Sequence, residues 1–248
     1  KNPREPAAAA ALTSSGEEGP PAMGATMICG ITICGRLAGV FKLLDLFRRK
    51  PLSPARQREL TADWIILGLG NPGPKYSSTR HNVGHMAVDD LLAETGDLLE
   101  PVPGTKALAA QLRIGGQDVL VLRSTTYMNV SGQAVAPLAE KLGVPAERII
   151  VIHDELDLPA GKVRVKLGGN ENGHNGLKSC TALLGTRDYL RVRIGISRPP
   201  KGMPVPDYVL GSIEGGPELD TAIATAADAA RLIVEQGLNK AQNEIHTR

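Results

Sequence analysis

Apolar strand-like runs alternate with helical stripes from residue 63 onward, and this alternation constrains the fold more than any other feature. Short runs rich in Ile, Val and Leu predict strands, while apolar residues spaced three and four apart predict helices. Predicted strands occupy 64–67, 108–114, 118–122, 148–152, 162–167 and 189–196, and predicted helices occupy 82–95, 130–142, 177–184 and 217–236. This order predicts a single α/β domain over residues 62–248, with a twisted, mostly parallel mixed sheet and helices on both faces.

Residues 1–61 form an N-terminal extension of different composition. Residues 1–25 are rich in Ala, Pro, Gly, Ser and Glu without a hydrophobic period, which predicts disorder. Residues 36–50 set apolar side chains at helical spacing opposite Arg and Lys, which predicts a short basic amphipathic helix. Two interpretations stay open for it: a helix that binds a membrane surface or a partner, or an upstream extension without a role. The longest apolar run, 27–35, is far shorter than the roughly 20 residues of a membrane span.

Positive charge is concentrated in one stretch of the chain. The net charge is only +2, but residues 162–201 contain nine Lys and Arg against two acids. Side chains alternate between the two faces of a strand, so the cations of 162–167 share one face and the apolar residues of that strand, including Leu167, face the core. By the same alternation, Arg191 and Arg193 are expected to point outward. Two such strands are typical of a surface that follows a phosphate backbone, and the alternative is an ordinary solvated sheet face.

The first predicted strand runs into a glycine-rich loop, Gly68-Leu-Gly70-Asn-Pro-Gly73. Its spacing matches the G-x-G-x-x-G fingerprint of dinucleotide-binding proteins, and an acidic pair follows at 89–90. In those proteins the third glycine lies within a helix whose N-terminus holds the pyrophosphate, whereas Pro72 and Pro74 flank it here. An NAD-dependent oxidoreductase is therefore the disfavoured alternative.

Polar side chains follow two of the predicted strands, where the ligand sites of open α/β sheets gather. His81 lies at a predicted helix start beyond the first strand, and Asp154 follows the strand at 148–152. A histidine held by a carboxylate becomes an oriented general base at neutral pH, so His81 and Asp154 form the candidate catalytic dyad. The alternative is that Asp154 and Asp157 only cap a turn.

Amide side chains mark the same edge of the predicted sheet. Asn71, Asn129 and Asn175 each lie beyond a strand end, and an amide can donate to an ester carbonyl or orient a water without titrating. The segment 168–176 is glycine-rich and lacks an apolar side chain, which favours a functional loop over an ordinary connection. The three cysteines lack metal-site spacing, so no structural zinc is indicated.

Four separated signatures within residues 62–248 are similar to those of the bacterial-type peptidyl-tRNA hydrolase family. They are the loop at 68–73 with the segment 79–82, Tyr127-Met128-Asn129, the segment 153–157, and Gly173-His174-Asn175-Gly176. The resemblance implies a single α/β domain that cleaves the ester joining a peptide to the 3′ ribose of tRNA. It further implies a cytoplasmic monomer that binds the acceptor stem and 3′ end of peptidyl-tRNA and uses no metal, cofactor or covalent intermediate. A non-catalytic RNA-binding adaptor is the alternative from another class.

The resemblance also implies a role for each matching residue. His81 is the expected base that activates water, Asp154 is its orienting partner, and Asn71 holds the water or the ester group. The other expected substrate- and tRNA-binding residues are Met128 and Asn129 at the peptide end, His174 and Asn175 in the crevice, Tyr76 near the terminal adenosine, and Arg164, Lys166 and Arg193 along the tRNA phosphates.

Two features depart from the family pattern. The glycine-rich loop reads Asn170-Glu171-Asn172, where the family usually carries more glycine and sometimes a basic or small residue. A carboxylate at Glu171 repels a phosphate path, which weakens the expected contribution of this loop to tRNA binding. Arg164 stands where Lys is common, which keeps the charge and adds a planar fork suited to phosphate.

Overall fold

The computed structural model describes residues 59–248. The predicted disorder of residues 1–25 and the predicted amphipathic helix at 36–50 lie outside the described residues. The division of the chain at residue 61 stays a prediction. Between residues 59 and 248, no helix is both long enough and apolar enough to cross a membrane.

A seven-stranded sheet and six helices organise residues 59–248. The strands are β1 (Trp64–Gly68), β2 (Glu100–Pro101), β3 (Ala107–Ile114), β4 (Gln117–Ser124), β5 (Ile149–Glu155), β6 (Val163–Leu167) and β7 (Leu190–Gly195). The helices are α1 (Val83–Ala93), α2 (Gly132–Leu142), α3 (Asn175–Leu184), α4 (Val205–Val209), α5 (Pro217–Gln236) and α6 (Leu238–Ile245).

The sheet is mixed and is covered on both faces. Its strand order is β2-β3-β4-β1-β5-β7-β6. The four central strands β4, β1, β5 and β7 run parallel, and the marginal strands pair antiparallel with their neighbours. Helices α1, α5 and α6 contribute to the core on one face and α2 and α3 to the core on the other. The predicted α/β domain is therefore confirmed.

Burial on both faces explains the sequence of the central strands. Every residue of β5 is buried, and so are the last four residues of β1. A strand buried on both faces carries a continuous apolar run. Both strands have such a run, and β5 becomes polar only at its carboxyl end. Their carboxyl ends lie side by side because Gly68 of β1 is in register with Ile152 of β5.

The glycines of the first loop serve close packing of α1. A Cβ on Gly68 would lie 2.3 Å from the carbonyl oxygen of Gly84 in α1, a distance that real Cβ atoms do not reach. The third glycine, Gly73, precedes a short 3-10 turn (Pro74–Tyr76) rather than lying within a helix. The dinucleotide fingerprint therefore lacks its structural context, because the glycines bring α1 against β1 instead of cradling a pyrophosphate.

The element boundaries differ from the sequence-based ones chiefly at β5. This strand continues to Glu155, so His153 and Asp154 lie within a strand and the interpretation of Asp154 as a turn cap is wrong. The short elements β2 and α4 lack a period long enough to predict. Helix α6 follows Gly237, whose φ of 82° ends α5, and was not predicted either.

Helix α6 covers the exposed edge of the sheet. The Nε2 atom of His246 accepts a hydrogen bond from the Val165 N–H at 3.0 Å, and the Gln242 amide donates to the Val165 carbonyl at 3.1 Å. These side chains satisfy backbone groups that an edge strand would otherwise leave open.

Candidate active site

Two histidines converge on one buried carboxylate at the carboxyl end of β5. His81 lies in the short 3-10 turn (Arg80–Asn82) before α1, and His174 is the residue just before α3. The Oδ1 atom of Asp154 lies 2.8 Å from Nδ1 of His81 and 3.0 Å from Nε2 of His174. The predicted pair of His81 and Asp154 is thus in contact, and His174 joins it as a third member.

The first turn of α3 fixes the tautomer of His174. Its Nδ1 atom accepts hydrogen bonds from the backbone N–H groups of Gly176 and Leu177, at 3.1 and 3.3 Å. A ring nitrogen that accepts carries no proton, so neutral His174 holds its proton on Nε2 and donates it to Asp154. An ionised Asp154 can only accept, so neutral His81 donates from Nδ1 and keeps a lone pair on Nε2. That arrangement suits a general base.

The cluster is nearly closed to solvent. The side chains of Asp154, His174 and His81 are 2%, 8% and 11% exposed. Burial alone would raise the pKa of Asp154, but the two adjacent imidazoles hold this pKa well below its usual value. The buried ring of His153 donates from Nδ1 to the Asp154 carbonyl at 2.7 Å, and burial followed by the proximity of His174 keeps the pKa of His153 well below its usual value. At neutral pH Asp154 is therefore ionised and His153 is neutral.

The three side chains also have the residue types of a metal site. One ligand atom from each of His81, Asp154 and His174 lies within 4.8 Å of the others. A metal ion would need the lone pair of His174 Nε2, because a histidine binds metal through an unprotonated nitrogen. That nitrogen carries the ring proton, since Nδ1 accepts from the start of α3. The donor set therefore fits proton transfer better than metal binding.

A second network fixes Asn71. Its backbone N–H donates to Asn82 Oδ1 at 2.8 Å and its carbonyl accepts from Asn82 Nδ2 at 2.9 Å. Asn82 directly follows His81, so this clamp ties Asn71 to the histidine turn. The Oδ1 atom of Asn71 accepts from the Met128 N–H at 2.8 Å, which leaves its Nδ2 donor without a hydrogen bond among residues 59–248. Asn82 was given no role of its own from the sequence, although its position next to His81 was a sign that it belongs to the site.

The other predicted substrate-binding residues differ in exposure. Met128 is 4% exposed and packs in the core between the sheet, α2 and α3, so its side chain is a core contact. Asn129 and Asn175 are exposed, and Tyr76 is half-buried. The ring of Tyr76 meets Tyr127 edge-on with centroids 6.2 Å apart. Tyr127, which was named from the sequence in a family signature without being given a role, is 60% exposed and adds a surface aromatic.

The predicted cationic face is present in part. Arg164 lies opposite Arg193, and Lys166 lies opposite Arg191, in the antiparallel ladder of β6 and β7. Burial, together with the guanidinium groups of Arg193 and Arg191, lowers the pKa of Lys166. Two expectations are wrong, because Arg191 is fully buried and Leu167, expected in the core, is 49% exposed.

The glycine-rich loop folds over Arg191 and buries it. The guanidinium donates to the carbonyl oxygens of Asn170 and Gly169, both at 2.6 Å, and lies 4.7 Å from the ring centroid of Tyr189. Arg191 therefore anchors the loop that leads to His174. Strand alternation cannot distinguish this arginine from its outward neighbour. The available signal was the glycine-rich loop at 168–176, because glycine lets the backbone approach another group closely.

Glu171 is paired rather than free. The Nε atom of Arg187 donates to Oε1 of Glu171 at 2.9 Å, and a second guanidinium nitrogen lies 3.4 Å from Oε2. The carboxylate that departs from the family pattern is thus neutralised by a cation from the turn before β7.

Buried His85 in α1 predicts how stability depends on pH. Burial, followed by the charge of Arg123, lowers the pKa of His85 to about 3. As the pH falls below about 6.5, the unfolded chain binds a proton that the folded chain does not bind until about pH 3, so acid favours unfolding. We expect His85→Leu to reduce the pH slope of the free energy of unfolding by up to about 1.4 kcal/mol per pH unit between about pH 6 and 4.5. Urea unfolding across this range measures the slope, and equal slopes in the two proteins would contradict the prediction.

Fold and site together define an α/β enzyme with a histidine–carboxylate centre at the carboxyl end of its sheet. A family model described as Peptidyl-tRNA hydrolase matches residues 65–248. Peptidyl-tRNA hydrolase 2 of Corynebacterium glutamicum is 61% identical over 208 residues, which cover 84% of this chain and 96% of that protein. Peptidyl-tRNA hydrolase of Mycobacteroides abscessus is 46% identical over 184 residues, which cover 73% of this chain and 94% of that protein.

A solved structure gives the same result. The crystal structure of peptidyl-tRNA hydrolase from Acinetobacter baumannii is similar to this chain with a TM-score of 0.68 and 36% identity, covering 75% of this chain and 96% of that one. The chain belongs to the peptidyl-tRNA hydrolase family, and the resemblance inferred from sequence is confirmed. It is a hydrolase that acts on the ester bond of peptidyl-tRNA.

Proposed function

We propose that the protein frees tRNA from peptidyl-tRNA through one attack of water that His81 activates and Asp154 orients. The observation that carries this proposal is the arrangement at Asp154, where two imidazoles donate to one carboxylate oxygen and the Nε2 atom of His81 stays free among the described residues. A base that is oriented and nearly closed to bulk solvent meets the needs of ester hydrolysis at neutral pH.

The reaction needs no side-chain nucleophile. The Nε2 atom of His81 takes a proton from water while the water oxygen attacks the ester carbonyl carbon. The bond from that carbon to the 3′ oxygen of the ribose then breaks, and His81 returns the proton to this oxygen. Between these steps the Asp154 carboxylate stabilises the imidazolium. The products are free tRNA and an N-blocked peptide with a carboxylate.

Asn71 supplies the electrophilic contact in this proposal. Its Oδ1 is occupied by the Met128 N–H, so its Nδ2 donor is left to donate to the ester carbonyl. A donor fixed in advance stabilises the negative charge that develops on the carbonyl oxygen. Asn82 makes this possible by holding the backbone of Asn71 from both sides.

The ends of the substrate are assigned to the surrounding side chains. Asn129 is an exposed amide that can bind the peptide end, where the buried Met128 packs next to it in the chain. Asn175 is an exposed amide that can contact the substrate in the crevice. Tyr76, held edge-on by Tyr127, offers an aromatic surface for the terminal adenosine.

The two contacts of His174 give variants with separable effects. His174→Asn keeps an acceptor at the start of α3 but loses the bond to Asp154, so we expect kcat to fall about tenfold and the free energy of unfolding to fall by about 1.5–3 kcal/mol. His174→Ala also removes the cap and is expected to cost a further ~1 kcal/mol of unfolding free energy. Turnover and urea unfolding of both variants check this, and a wild-type kcat in His174→Asn would contradict it.

Arg164, Lys166 and Arg193 are proposed to follow the tRNA phosphates. We expect Arg164→Ala to weaken tRNA binding and to make the dependence of log Kd on log salt shallower by about 0.7–0.9, the share of one phosphate contact. Arg113→Ala is the matched control, because Arg113 is an exposed arginine on β3 near the opposite margin of the sheet. Equal salt slopes for wild type and Arg164→Ala would show that Arg164 does not contact a tRNA phosphate.

Selectivity tests the proposed function as a whole. We expect the full chain to hydrolyse N-acetyl-aminoacyl-tRNA and to spare the same aminoacyl-tRNA with a free amino group, with a chelator present throughout. A protein that binds tRNA but releases nothing would instead be the non-catalytic adaptor. The proposal extends to a monomer in the cytoplasm, which light scattering and cell fractionation test.

A further inference from the structure

We propose that Arg187 is an additional RNA-phosphate contact whose charge Glu171 neutralises until RNA binds. This inference rests on the proposed function, because it assumes that tRNA lies along β6 and β7. In the free protein the guanidinium of Arg187 is engaged by the carboxylate of Glu171 through contacts of 2.9 and 3.4 Å. A phosphate has the same charge and oxygen geometry as this carboxylate and can take its place.

Arg187 continues a row of cations. Arg164 with Arg193 forms one rung of the β6–β7 ladder, and Lys166 lies in the next rung, about 6.6 Å along the strands, opposite the buried Arg191. The Gly168 N–H donates to the Tyr189 carbonyl at 3.0 Å and extends this pairing beyond β6.

Just beyond this last pair, Glu171 of the loop meets Arg187 of the turn before β7. The cations of the ladder thus begin at Arg193, opposite His153 of β5, and Arg187 lies beyond the far end of the ladder.

The two members of the pair differ in exposure. The side chain of Arg187 is 56% exposed, whereas that of Glu171 is 12% exposed. The terminal nitrogen Nη1 of Arg187 makes no hydrogen bond among residues 59–248. The guanidinium side of the pair is therefore open to solvent, and a phosphate can reach Arg187 there and compete with the carboxylate.

The loop does not depend on the Glu171 side chain for its position. Arg191 holds the carbonyls of Gly169 and Asn170 from below, and the Glu171 carbonyl accepts from the His174 N–H at 2.8 Å. The Glu171 carboxylate can therefore leave Arg187 while His174 stays on Asp154. The carboxylate of Asp188, an acid next to Arg187 in the chain, accepts a hydrogen bond from the Thr186 hydroxyl at 3.3 Å, and the Asp188 backbone N–H donates to the same hydroxyl oxygen at 3.1 Å.

Charge-matched variants separate a specific contact from general electrostatics. Glu171→Gln adds one positive charge, Arg187→Gln removes one, and the double variant has the net charge of the wild type. We expect Glu171→Gln to bind deacylated tRNA about three- to tenfold more tightly at low salt, with a salt slope steeper by about 0.7–0.9. The double variant is expected to bind about three- to tenfold more weakly than the wild type, because it lacks the Arg187 fork although its charge is equal.

The experiment measures binding of deacylated tRNA to the full chain by fluorescence anisotropy at several salt concentrations. Glu94→Gln is the control, because Glu94 forms a comparable exposed pair with Arg231 between α1 and α5 and is expected to change nothing. A double variant that matches the wild type would overturn the inference, and so would a Glu171→Gln variant that binds no more tightly.

Turnover of N-acetyl-aminoacyl-tRNA by the wild type distinguishes failure of the inference about Arg187 from failure of the proposed function. If the wild type hydrolyses this substrate and the variants fail to order as expected, only the role of Arg187 is wrong. If the wild type releases nothing, the proposed function fails first and the inference falls with it.

Discussion

Replacement of Asp154 by asparagine is expected to lower kcat for peptidyl-tRNA by about 10²- to 10⁴-fold while the fold and tRNA binding are kept. His174 determines this outcome. Its Nδ1 accepts from the start of α3, so Nε2 keeps its proton and requires the oxygen of the new amide to face it. The hydrogen-bond geometry then survives and only the negative charge is lost. Without that charge, the imidazolium formed on His81 during the reaction is no longer stabilised.

Asp157→Asn is the matched control for this variant. Asp157 lies three residues further along and pairs with Arg198 at the surface, so its loss removes the same charge from the same segment without touching either histidine. Comparison of kcat and of the Kd for deacylated tRNA in both variants isolates the role of the buried carboxylate. A wild-type kcat in Asp154→Asn would show that the charge is not needed.

His81→Ala is expected to reduce kcat by about 10²- to 10⁴-fold, because it removes the only nitrogen of the cluster with a lone pair directed away from Asp154 and α3. The fold should tolerate the change, since Asp154 keeps its bond from His174 and is not left without a partner. The Kd for deacylated tRNA is expected to stay close to that of the wild type. Parallel loss of binding and turnover would make His81 a binding residue instead of the base.

The pairing of His81 with Asp154 was predictable from the sequence, because the sequence already predicted the α/β fold that brings the two residues together. Polar residues after two buried strands meet at one edge when those strands are parallel neighbours, and β1 and β5 are such neighbours. Position and charge alone indicated an amide at Asn71 that donates to an ester or orients a water, and cationic strands that follow a phosphate backbone; the family resemblance added that the substrate is peptidyl-tRNA. Their geometry now supplies physical reasons, such as the clamp by Asn82 that frees one donor of Asn71.

The remaining features depend on contacts distant in sequence. His174 reads as one polar residue in a glycine-rich loop, and its tautomer follows only once α3 begins at the next residue. Arg191 reads as an outward strand residue, and it is buried because the loop closes over it from 21 residues away. Glu171 reads as an unpaired acid until the turn before β7 brings Arg187 to it. Local periodicity contains none of these contacts.

Single-turnover hydrolysis of N-acetyl-aminoacyl-tRNA, with enzyme in saturating excess and a chelator present, tests the role of His81 most directly. Saturation removes differences in binding, so the rate reports the chemical step. We predict chelator-resistant release by the wild type and a rate lower by about 10²- to 10⁴-fold for His81→Ala. Equal single-turnover rates for the two proteins would contradict the assignment of His81 as the base that activates water.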